Sequence, residues 1–473
     1  MRASWSRVMA DRKTRKVVAR RPVSIRAKYD AAQSSADNRR HWANADALDA
    51  VRANNAAVRA RLRRNSRYEI ANNCYARGIS LTLANDLVGA GPQLQMLLDD
   101  SDLNDRIEHE FTAWSKQIDL AGKLRTMRIA KIQDGEAFAM LISNPALWPV
   151  TLDIRLIEAD QVDTPSGQDG RYVEGIRYDN YGNPAAYALL KSHPGGLRFD
   201  TGFDEVPQSH MLHWYRVDRP GQIRGVPEIT PALPLFAHLR RYTLSVVVAA
   251  ELAAEWTLFM TTNSPPNGEA AAMPNDFEEI EFERGLMTNL PEGWAPYQLE
   301  PKQPTTTYAE FKSEILNEIA RCLNLPYNIA ACNSSGYNYA SGRLDHQTYF
   351  RSIAVEQAHL EERVLDRVLR EWLDEASKEF NWSLENAPHQ WFWTGRDHVD
   401  PAKEANAQAT RLTNNTTTLA TEYARQGKDW ETELRQRAKE LAMMKSLGIP
   451  TGENPQQERE EDEENVAKKD EAD

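Results

Sequence analysis

The residues of this sequence that could bind a metal ion fall in two places. His210 and His213 are three residues apart in a segment predicted to be a strand. Because side chains alternate between the two faces of a strand, these imidazoles should face opposite sides, which is a poor arrangement for joint ligation. Carboxylates are concentrated at Asp276, Glu278, Glu279, Glu281 and Glu283. Such a cluster could hold Mg²⁺ for a nuclease, but a solvated acidic surface is favoured, and we predict no metal site.

Motifs for nucleotide binding and hydrolysis are absent from the sequence. The phosphate-cradling run G-x-x-x-x-G-K-[ST] does not occur, and neither do G-x-S-x-G and H-E-x-x-H. Trp382, Trp391 and Trp393 could stack on bases as in single-strand binders, but no basic residues are interleaved with them. Packing or subunit contact is therefore favoured for these rings. We predict a protein that is not an enzyme and needs no cofactor.

Charge and cysteine content narrow the class of protein further. The net charge is -12, although basic residues crowd the first 64 positions and residues 458–464 are nearly all acidic. A protein that grips DNA by neutralising phosphates is normally basic overall, so we expect only weak contact with DNA. Cys74, Cys322 and Cys332 show no C-x-x-C spacing and are predicted to be free thiols. No apolar stretch is long enough to span a membrane.

Hydrophobic periodicity predicts the helices and strands of the chain. Leu103, Ile107, Phe111 and Trp114 have the spacing of one helix face and are expected in the core. From Val150 the period falls to two, which is typical of a half-buried strand. The turn residues of DNYGNP, between 173–178 and 186–191, predict a hairpin, and 211–217 predicts another strand. Residues 120–220 are thus expected to be mixed α+β.

Two helices are predicted on either side of a small inserted subdomain. Leu235 to Met260 contains neither Gly nor Pro and predicts one helix of about 26 residues, roughly 39 Å long. Residues 261–306 predict the subdomain, with strands near 285–290 and 294–299. A T-x-x-E capping box then begins a second helix that ends before Pro326. Its apolar stripe, which suits either a subunit contact or an internal core, consists of Tyr308, Phe311, Ile315 and Ile319.

A polar loop and further helices complete the chain. CNSSGYNYAS, between Asn328 and Ser341, has the composition of a flexible loop, and Leu344 to Ala376 predicts the longest helix. The helical end should have caps at Asp400 and Asp429 and stops at Gly427 and Gly448. The first 40 residues predict a mobile basic arm, which could contact DNA or a neighbouring subunit, and the residues after Pro450 a disordered acidic tail.

Several segments resemble one known family, the lambda-like portal proteins of tailed phages. HMLHWYRVDRPGQIRGVP (210–227) is similar to the family's strand that runs into R-P-G-Q-x-R-G-x-P before a helix. GIRYDNYGNPAAY (175–187), NYASGR (338–343) and DPAKEANA (400–407) resemble the same family in the same order. The similarity covers nearly the whole chain beyond residue 40.

The resemblance implies an α+β portal fold divided into named parts. These are the arm 1–40, the first part of the wing 41–229, a stem helix 230–257, the clip 258–306, a second stem helix 307–327, the tunnel loop 328–340, the return of the wing 341–395, the helical crown 396–450 and the tail 451–473. The tunnel loop would present Asn333, Ser334, Ser335, Gly336, Tyr337, Asn338 and Tyr339 to DNA, with many polar groups and little charge.

The function that the resemblance implies is structural. Twelve copies would form a ring at one vertex of the virion capsid, through which double-stranded DNA is packaged and ejected. The expected partners are the other subunits, terminase at the clip, the major capsid or scaffold protein, and a head-tail adaptor; a membrane is not among them. Assembly is expected in the host cytoplasm. A metal-dependent DNA-processing enzyme that uses Asp276 and Glu279 is the alternative; a head-tail adaptor would be much shorter.

Overall fold

A computed structural model describes most of the chain. The described residues are 40–197, 200–254, 258–262, 294–298, 307–384, 387–393 and 401–449. Four of the predictions lie outside them: the basic arm up to residue 39, the acidic cluster at 276–283, the strand near 285–290 and the acidic tail from 451. The cap predicted at Asp400 is also outside the described residues.

Helices form most of the described structure. They are α1 (Ala50–Ala53), α2 (Ala56–Asn72), α3 (Cys74–Val88), α4 (Ser101–Gln117), α5 (Leu120–Asp134), α6 (Leu233–Ala254), α7 (Thr307–Cys322), α8 (Tyr327–Ala331), α9 (Tyr339–Leu360), α10 (Asp366–Phe380), α11 (Pro401–Thr413), α12 (Leu419–Arg425) and α13 (Trp430–Ser446).

The strands pair into small antiparallel sheets. They are β1 (Gln93–Met96), β2 (Glu136–Ser143), β3 (Leu152–Ile157), β4 (Ile176–Tyr178), β5 (Pro184–Leu190), β6 (Phe203–Pro207), β7 (Met211–Tyr215), β8 (Leu258–Thr262), β9 (Trp294–Gln298) and β10 (His389–Phe392). Their orders are β3-β2-β7, β4-β5-β6, β1-β10 and β8-β9. The mixture of helix and sheet predicted from the sequence is confirmed.

One large core joins the helices to one face of the β2 sheet. The α4 stripe is confirmed, since Ile107, Phe111 and Trp114 are all nearly inaccessible to solvent. The main core also contains the first turns of α6 and the last turns of α7, together with the middle of the α9–α10 helix. The segments before and after 258–306 are therefore anchored in one hydrophobic core.

A second, smaller core lies between β2 and the predicted hairpin. The hairpin is confirmed, since β4 and β5 pair antiparallel with Ile176 opposite Tyr187. Its turn is held by Asp179, whose Oδ1 accepts the backbone N–H groups of Tyr181 and Asn183, both at 2.8 Å. Phe138 of β2 lies in this core beside Tyr187.

The first predicted long helix is shorter than its sequence allows. The structure ends α6 at Ala254 after 22 residues, about 33 Å, and Met260 lies on β8 instead. The prediction relied on the absence of Gly and Pro, which permits a helix without requiring one. Aromatic and β-branched residues such as Phe259 and Thr261 favour a strand where a partner is present, and β9 supplies it.

The second predicted helix also ends early. The structure ends α7 at Cys322, because Asn324 takes a left-handed φ of 55° and the Leu325 N–H returns to the Ala320 carbonyl at 2.9 Å. A short helix, α8, follows where the sequence predicted the start of the polar loop. The polar loop of the structure is therefore residues 332–338.

The longest helix extends beyond its prediction at both ends. α9, a π-helical turn at Glu361–Leu365 and α10 follow one another without interruption from Tyr339 to Phe380. The predicted apolar residues are buried as expected, and they are Val364, Leu365, Val368, Leu369, Trp372 and Leu373. This helix was predicted correctly because its apolar residues recur at helical spacing over many turns.

The helical end is confirmed as three helices, and its predicted signals at Gly427, Asp429 and Gly448 are present. Asp429 caps α13 by accepting the Thr432 N–H at 3.0 Å, and Gly427 and Gly448 take φ values of 70° and 67°. No side chain of α13 is buried. Across the described ranges, no helix combines the length and the apolar character that a membrane crossing requires.

Candidate functional site

The exposed polar loop, residues 332–338, joins α8 to α9. Asn333, Ser334, Ser335 and Gly336 are exposed, and Tyr337 is half-buried. Tyr339, predicted to be in the loop, is the first residue of α9. No charged residue lies within the loop. It therefore offers hydroxyl, amide and backbone groups to a ligand without a fixed charge.

Local hydrogen bonds order this loop even though its side chains face solvent. Asn333 Oδ1 accepts the Ser335 N–H at 3.0 Å, and the Tyr337 N–H donates to the Ser334 carbonyl at 3.1 Å. Asn338 caps α9 by accepting the Ser341 N–H at 2.9 Å. Each of these is a turn or cap that Asn and Ser favour.

Below the loop, Asn328 is the polar residue that ties it to the body. This side chain is buried, and its Nδ2 lies 3.0 Å from Nε2 of His346 on α9 and 3.5 Å from the Ser334 hydroxyl. The Asn328 carbonyl also accepts the Asn333 N–H at 3.0 Å. Because both ends of the loop are fixed, its exposed residues project from a defined base.

The apolar stripe of α7 is divided between two environments. Ile319 is fully buried in the chain's own core, and Ile315 packs partly against it. Tyr308 and Phe311 instead contact Tyr242 of α6, with ring centroids 5.6 and 5.1 Å apart, and Phe311 remains 52% exposed. The sequence left two alternatives for this stripe, a subunit contact or an internal core. Ile319 lies in the internal core.

The last residues of the 210–227 motif, from 222 onward, belong to a buried ionic network, whereas residues 216–221 are exposed. Arg224 is 1% exposed, and its Nε and Nη2 donate to the Glu136 carboxylate at 2.7–2.9 Å. The same guanidinium donates to the carbonyls of Val162 at 2.8 Å, Glu174 at 2.5 Å and Ala159 at 3.2 Å. One arginine thus joins β2 to the segments on both sides of the second core.

Two further side chains contact the carboxylate of Glu136, the first residue of β2. Arg63 of α2 forms a salt bridge with it, and His213 Nε2 lies 2.9 Å from its other oxygen. Burial alone would raise the pKa of Glu136, but Arg224, His213 and Arg63 hold it well below its ordinary value. Burial lowers the pKa of His213, so this imidazole is neutral and donates its Nε2 proton to the carboxylate.

The glycines of the motif permit a close approach of two backbones. A Cβ on Gly225 would lie 2.0 Å from the Gly135 carbonyl oxygen, and a Cβ on Gly135 would lie 2.3 Å from Val226. The Gly225 N–H donates to Glu136 at 3.1 Å. A side chain at either glycine would push the carboxylate away from its donors.

A second buried ionic group lies just before α6. Arg128 of α5 bonds Glu228 at 2.8 Å, and Lys131, which is fully buried, lies between Glu228 and Glu356 of α9. Burial would raise the pKa of Glu228, but Arg128 and Lys131 lower it to about 2. The start of α6 is therefore held to α5 and to the long helix by charge.

The two histidines considered as metal ligands are separated. His213 is buried in the Glu136 network, whereas His210 is exposed in the short 3-10 helix that precedes β7. Among the described residues, one other group has suitable ligand atoms: Glu158, Asp160 and His193. The Gly195 N–H donates to His193 Nδ1 at 2.9 Å, so Nε2 carries the proton, and Asp160 is already paired with two arginines. This group suits ion pairs better than a metal.

The three tryptophans predicted to pack do so. Trp382 is buried, while Trp391 and Trp393 pack partly against the main core. The indole N–H of Trp391 donates to Asp366 at 2.9 Å, and that of Trp393 to Glu361 at 2.5 Å.

Comparison with known proteins identifies the family. The model of the phage portal protein family, lambda family, matches residues 37–357. The chain belongs to this family. The resemblance to this family is confirmed; three of the four segments that carried it lie within the matched residues, and DPAKEANA (400–407) lies beyond them. The chain is a structural protein rather than an enzyme. The alternative of a metal-dependent DNA-processing enzyme is therefore wrong.

One curated relative and two solved structures are similar to this chain. A protein named as a probable portal protein, from Halomonas phage phiHAP-1, is 27% identical over 387 residues, which are 74% of this chain and 73% of the relative. A chain from the neck of an empty gene transfer agent particle, with C6 symmetry, has a TM-score of 0.46 and 12% identity, over 76% of this portal chain and 91% of the other. A chain from the native particle's neck, with C12 symmetry, gives 0.45 and 12%, over 76% and 92%.

Proposed function

We propose that this portal protein forms a dodecameric ring at one vertex of the viral head and conducts double-stranded DNA during packaging and ejection. The observation that carries the proposal is the loop 332–338, which is exposed, ordered at its base and free of charge. Counterion release makes lysine-rich contacts tight, and a ring would multiply each such contact. An uncharged loop lets DNA move past it.

The proposed parts of the ring follow the family's division of the chain. α6 and α7 serve as the stem, the 258–306 segment as the clip that docks terminase, 41–229 and 341–395 as the wing, and 396–450 as the crown. The antiparallel β8–β9 pair, with Leu258 opposite Gln298, falls within the proposed clip. The capsid or scaffold protein and a head-tail adaptor are the further proposed partners of this virion component.

Neighbouring subunits need an apolar surface, and α6 presents one. Leu244, Val247 and Val248 lie on one helix face and are 59%, 48% and 51% exposed. Phe311 of α7 adds a half-exposed ring. Closed rings bury unlike surfaces of adjacent copies against each other. We therefore place the subunit contact on this face of α6 and on Phe311 rather than on Ile319.

Shortening the loop at 337–339 tests the channel role. We expect electron micrographs of the purified variant to show intact rings, because the loop lies outside the main core. Heads assembled with the variant should retain or package less DNA. Loss of rings in the loop variant, or full DNA packaging with it, would contradict the proposal.

A variant of α6, in the proposed stem, should have the opposite effect to the loop variant: it should impair ring formation. Val247→Glu places a charge on the exposed α6 face and should reduce ring formation while the subunit remains folded, as measured by mass and circular dichroism. Glu251→Gln, a change at an exposed position one turn later, should leave the rings intact.

A further inference from the structure

A small aromatic cavity opens beside α4, within the proposed wing and apart from the loop 332–338. Its volume is about 190 Å³, and its walls come from α4, from α10 and from the connection between β2 and β3. The principal lining residues are Glu110, Trp114, Trp148, Trp372 and Phe380. Three indole rings and one carboxylate therefore face a single space.

Two of these tryptophans are fixed in the main core. Trp114 is 3% exposed, and its indole N–H donates to the Leu152 carbonyl at 2.8 Å. Trp372 is fully buried, and its indole N–H has no acceptor among the described residues. Their ring centroids are 6.2 Å apart. The back wall of the cavity is part of the main core, so it is formed without a ligand.

Trp148, unlike Trp114 and Trp372, lies at the protein surface. It is 77% exposed, at the rim of the cavity. An exposed indole leaves a large apolar surface in water and is a common anchor in protein interfaces. Its ring is available to cover a group that enters the cavity.

Glu110 supplies the charge of the cavity. It is half-buried, and no ion pair or hydrogen bond to it is found among the described residues, whereas Asp105 one turn earlier is paired with Arg435. It also lines an adjoining cavity with Trp382 and His109. Arg106 lines the adjoining cavity but forms no ion pair with Glu110. A carboxylate in no ion pair within the described part of the chain, set among aromatic faces that themselves attract cations, is complementary to a positive group.

We infer that this cavity binds an arginine side chain of a partner protein other than a second copy of this chain. The planar guanidinium can stack on Trp148 while its N–H groups donate to Glu110, a combination that the ammonium of lysine does not reproduce. The surface proposed for neighbouring subunits is the broad apolar face of α6, on a different element. A cavity of this size takes one side chain of a peptide segment.

Titration of the assembled full-length protein with the peptide acetyl-Ala-Arg-Ala-amide tests the inference. The citrulline peptide is the matched ligand, because it keeps the shape of arginine and lacks its charge. Calorimetry or saturation-transfer NMR should show about tenfold weaker binding of the citrulline peptide, the effect of one cation–π contact and one ion pair. Equal binding of the two peptides would overturn the assignment.

Variants locate the binding on the protein. Glu110→Gln and Trp148→Ala should each weaken binding of the arginine peptide about tenfold with unchanged circular dichroism, because neither side chain is buried in the core. Glu379→Gln, a change at an exposed carboxylate outside the cavity lining, should bind as the parent does. Unaltered affinity in the first two variants would refute the site. Binding to the dissociated subunit but not to the assembled protein would instead assign the cavity to a second copy.

Discussion

The Glu136–Arg224 network and the 332–338 loop place polar groups in opposite ways. The network is charged and inaccessible, with Glu136 and Arg224 at 0% and 1% side-chain exposure. The loop is uncharged and exposed, and its hydrogen bonds are made within a few residues of sequence. Long-range buried charge therefore fixes α2 and β2 to the segment that leads into α6, while local turns shape the surface proposed to meet DNA.

The residues that identify the family are therefore different from the residues proposed to contact DNA. The motif that carries the resemblance, R-P-G-Q-x-R-G-x-P, supplies Arg224 and Gly225 to the network, and neither residue is on a surface. Buried ionic groups are costly unless each charge is paired, so such a motif tolerates little change. A loop of exposed Asn and Ser tolerates more.

Arg224→Met should have the largest effect and is the strongest test of the comparison. It removes one of the cations of Glu136 and leaves three carbonyl groups without their donor. We expect the free energy of unfolding to fall by about 3–5 kcal/mol, measured by thermal or denaturant unfolding.

The control for this change is Arg437→Met. Arg437 is 53% exposed and pairs with Glu440 on the same helix, so its removal should cost less than about 0.5 kcal/mol. If the two variants unfolded alike, the network would not be what holds the motif in place.

Gly225→Ala is expected to have the next largest effect. Its Cβ would meet the Gly135 carbonyl oxygen at 2.0 Å, a backbone contact that cannot be relieved by a rotamer change. We expect a loss of about 1–3 kcal/mol in the free energy of unfolding. Gly336→Ala in the loop is the matched change, since a Cβ there meets nothing within 4 Å. Comparable losses at both glycines would remove the contrast between the two regions.

Local signals explain what the sequence predicted well. The α4 stripe, the long α9–α10 helix and the Asp429 cap depend on residues within a few turns of one another, and all three are confirmed. The DNYGNP hairpin succeeded for the same reason. Periodicity and turn chemistry carry this information without knowledge of the rest of the chain.

Non-local pairing explains the errors and the residues that were missed. Leu258–Thr262 forms a strand because it pairs with Trp294–Gln298, which is distant in sequence. Nothing in the sequence around Leu258 indicates where that partner lies. Glu136 and Arg224 are 88 positions apart, and no local pattern marks Arg224 as buried. The signal that could have found Glu136 is a carboxylate directly before the apolar run AFAMLI, where a buried charge demands a partner.

Glu108→Gln tests a region between these extremes, where a carboxylate is half-buried and pairs with no cation among the described residues. Burial raises the pKa of Glu108 to about 7 from 4.5, and Asp429, Asp105 and Glu431 add to the effect against the Met96 N–H bond. Between those two pH values the unfolded chain releases the proton and the folded chain keeps it, so stability falls as the pH rises. The cost is complete above pH 7 and absent below 4.5.

Thermal unfolding across this pH range measures the effect. After allowance for solvent screening, the Gln variant should be more stable than the parent by about 1 kcal/mol at pH 8, and the difference should vanish toward pH 4.5. Glu362→Gln, at a side chain that is 71% exposed, should show no such divergence. Parallel melting curves for parent and Glu108→Gln would show that the carboxylate titrates normally.

Ser335→Lys in the loop should have the smallest effect on stability and the clearest effect on DNA. The side chain of Ser335 is exposed, and only its backbone N–H is used within the loop, so the free energy of unfolding should change by less than about 0.5 kcal/mol. Each subunit would add one cation to the proposed channel, and DNA binding by the assembled ring should become tighter at low salt and fall steeply as salt is raised. Ser335→Gln, which adds length without charge, should leave the salt dependence of binding unchanged. If the lysine ring bound DNA no more tightly than the glutamine ring at any salt concentration, the loop would lie away from the DNA path, because a cation repeated around a channel that encloses DNA cannot avoid the phosphates.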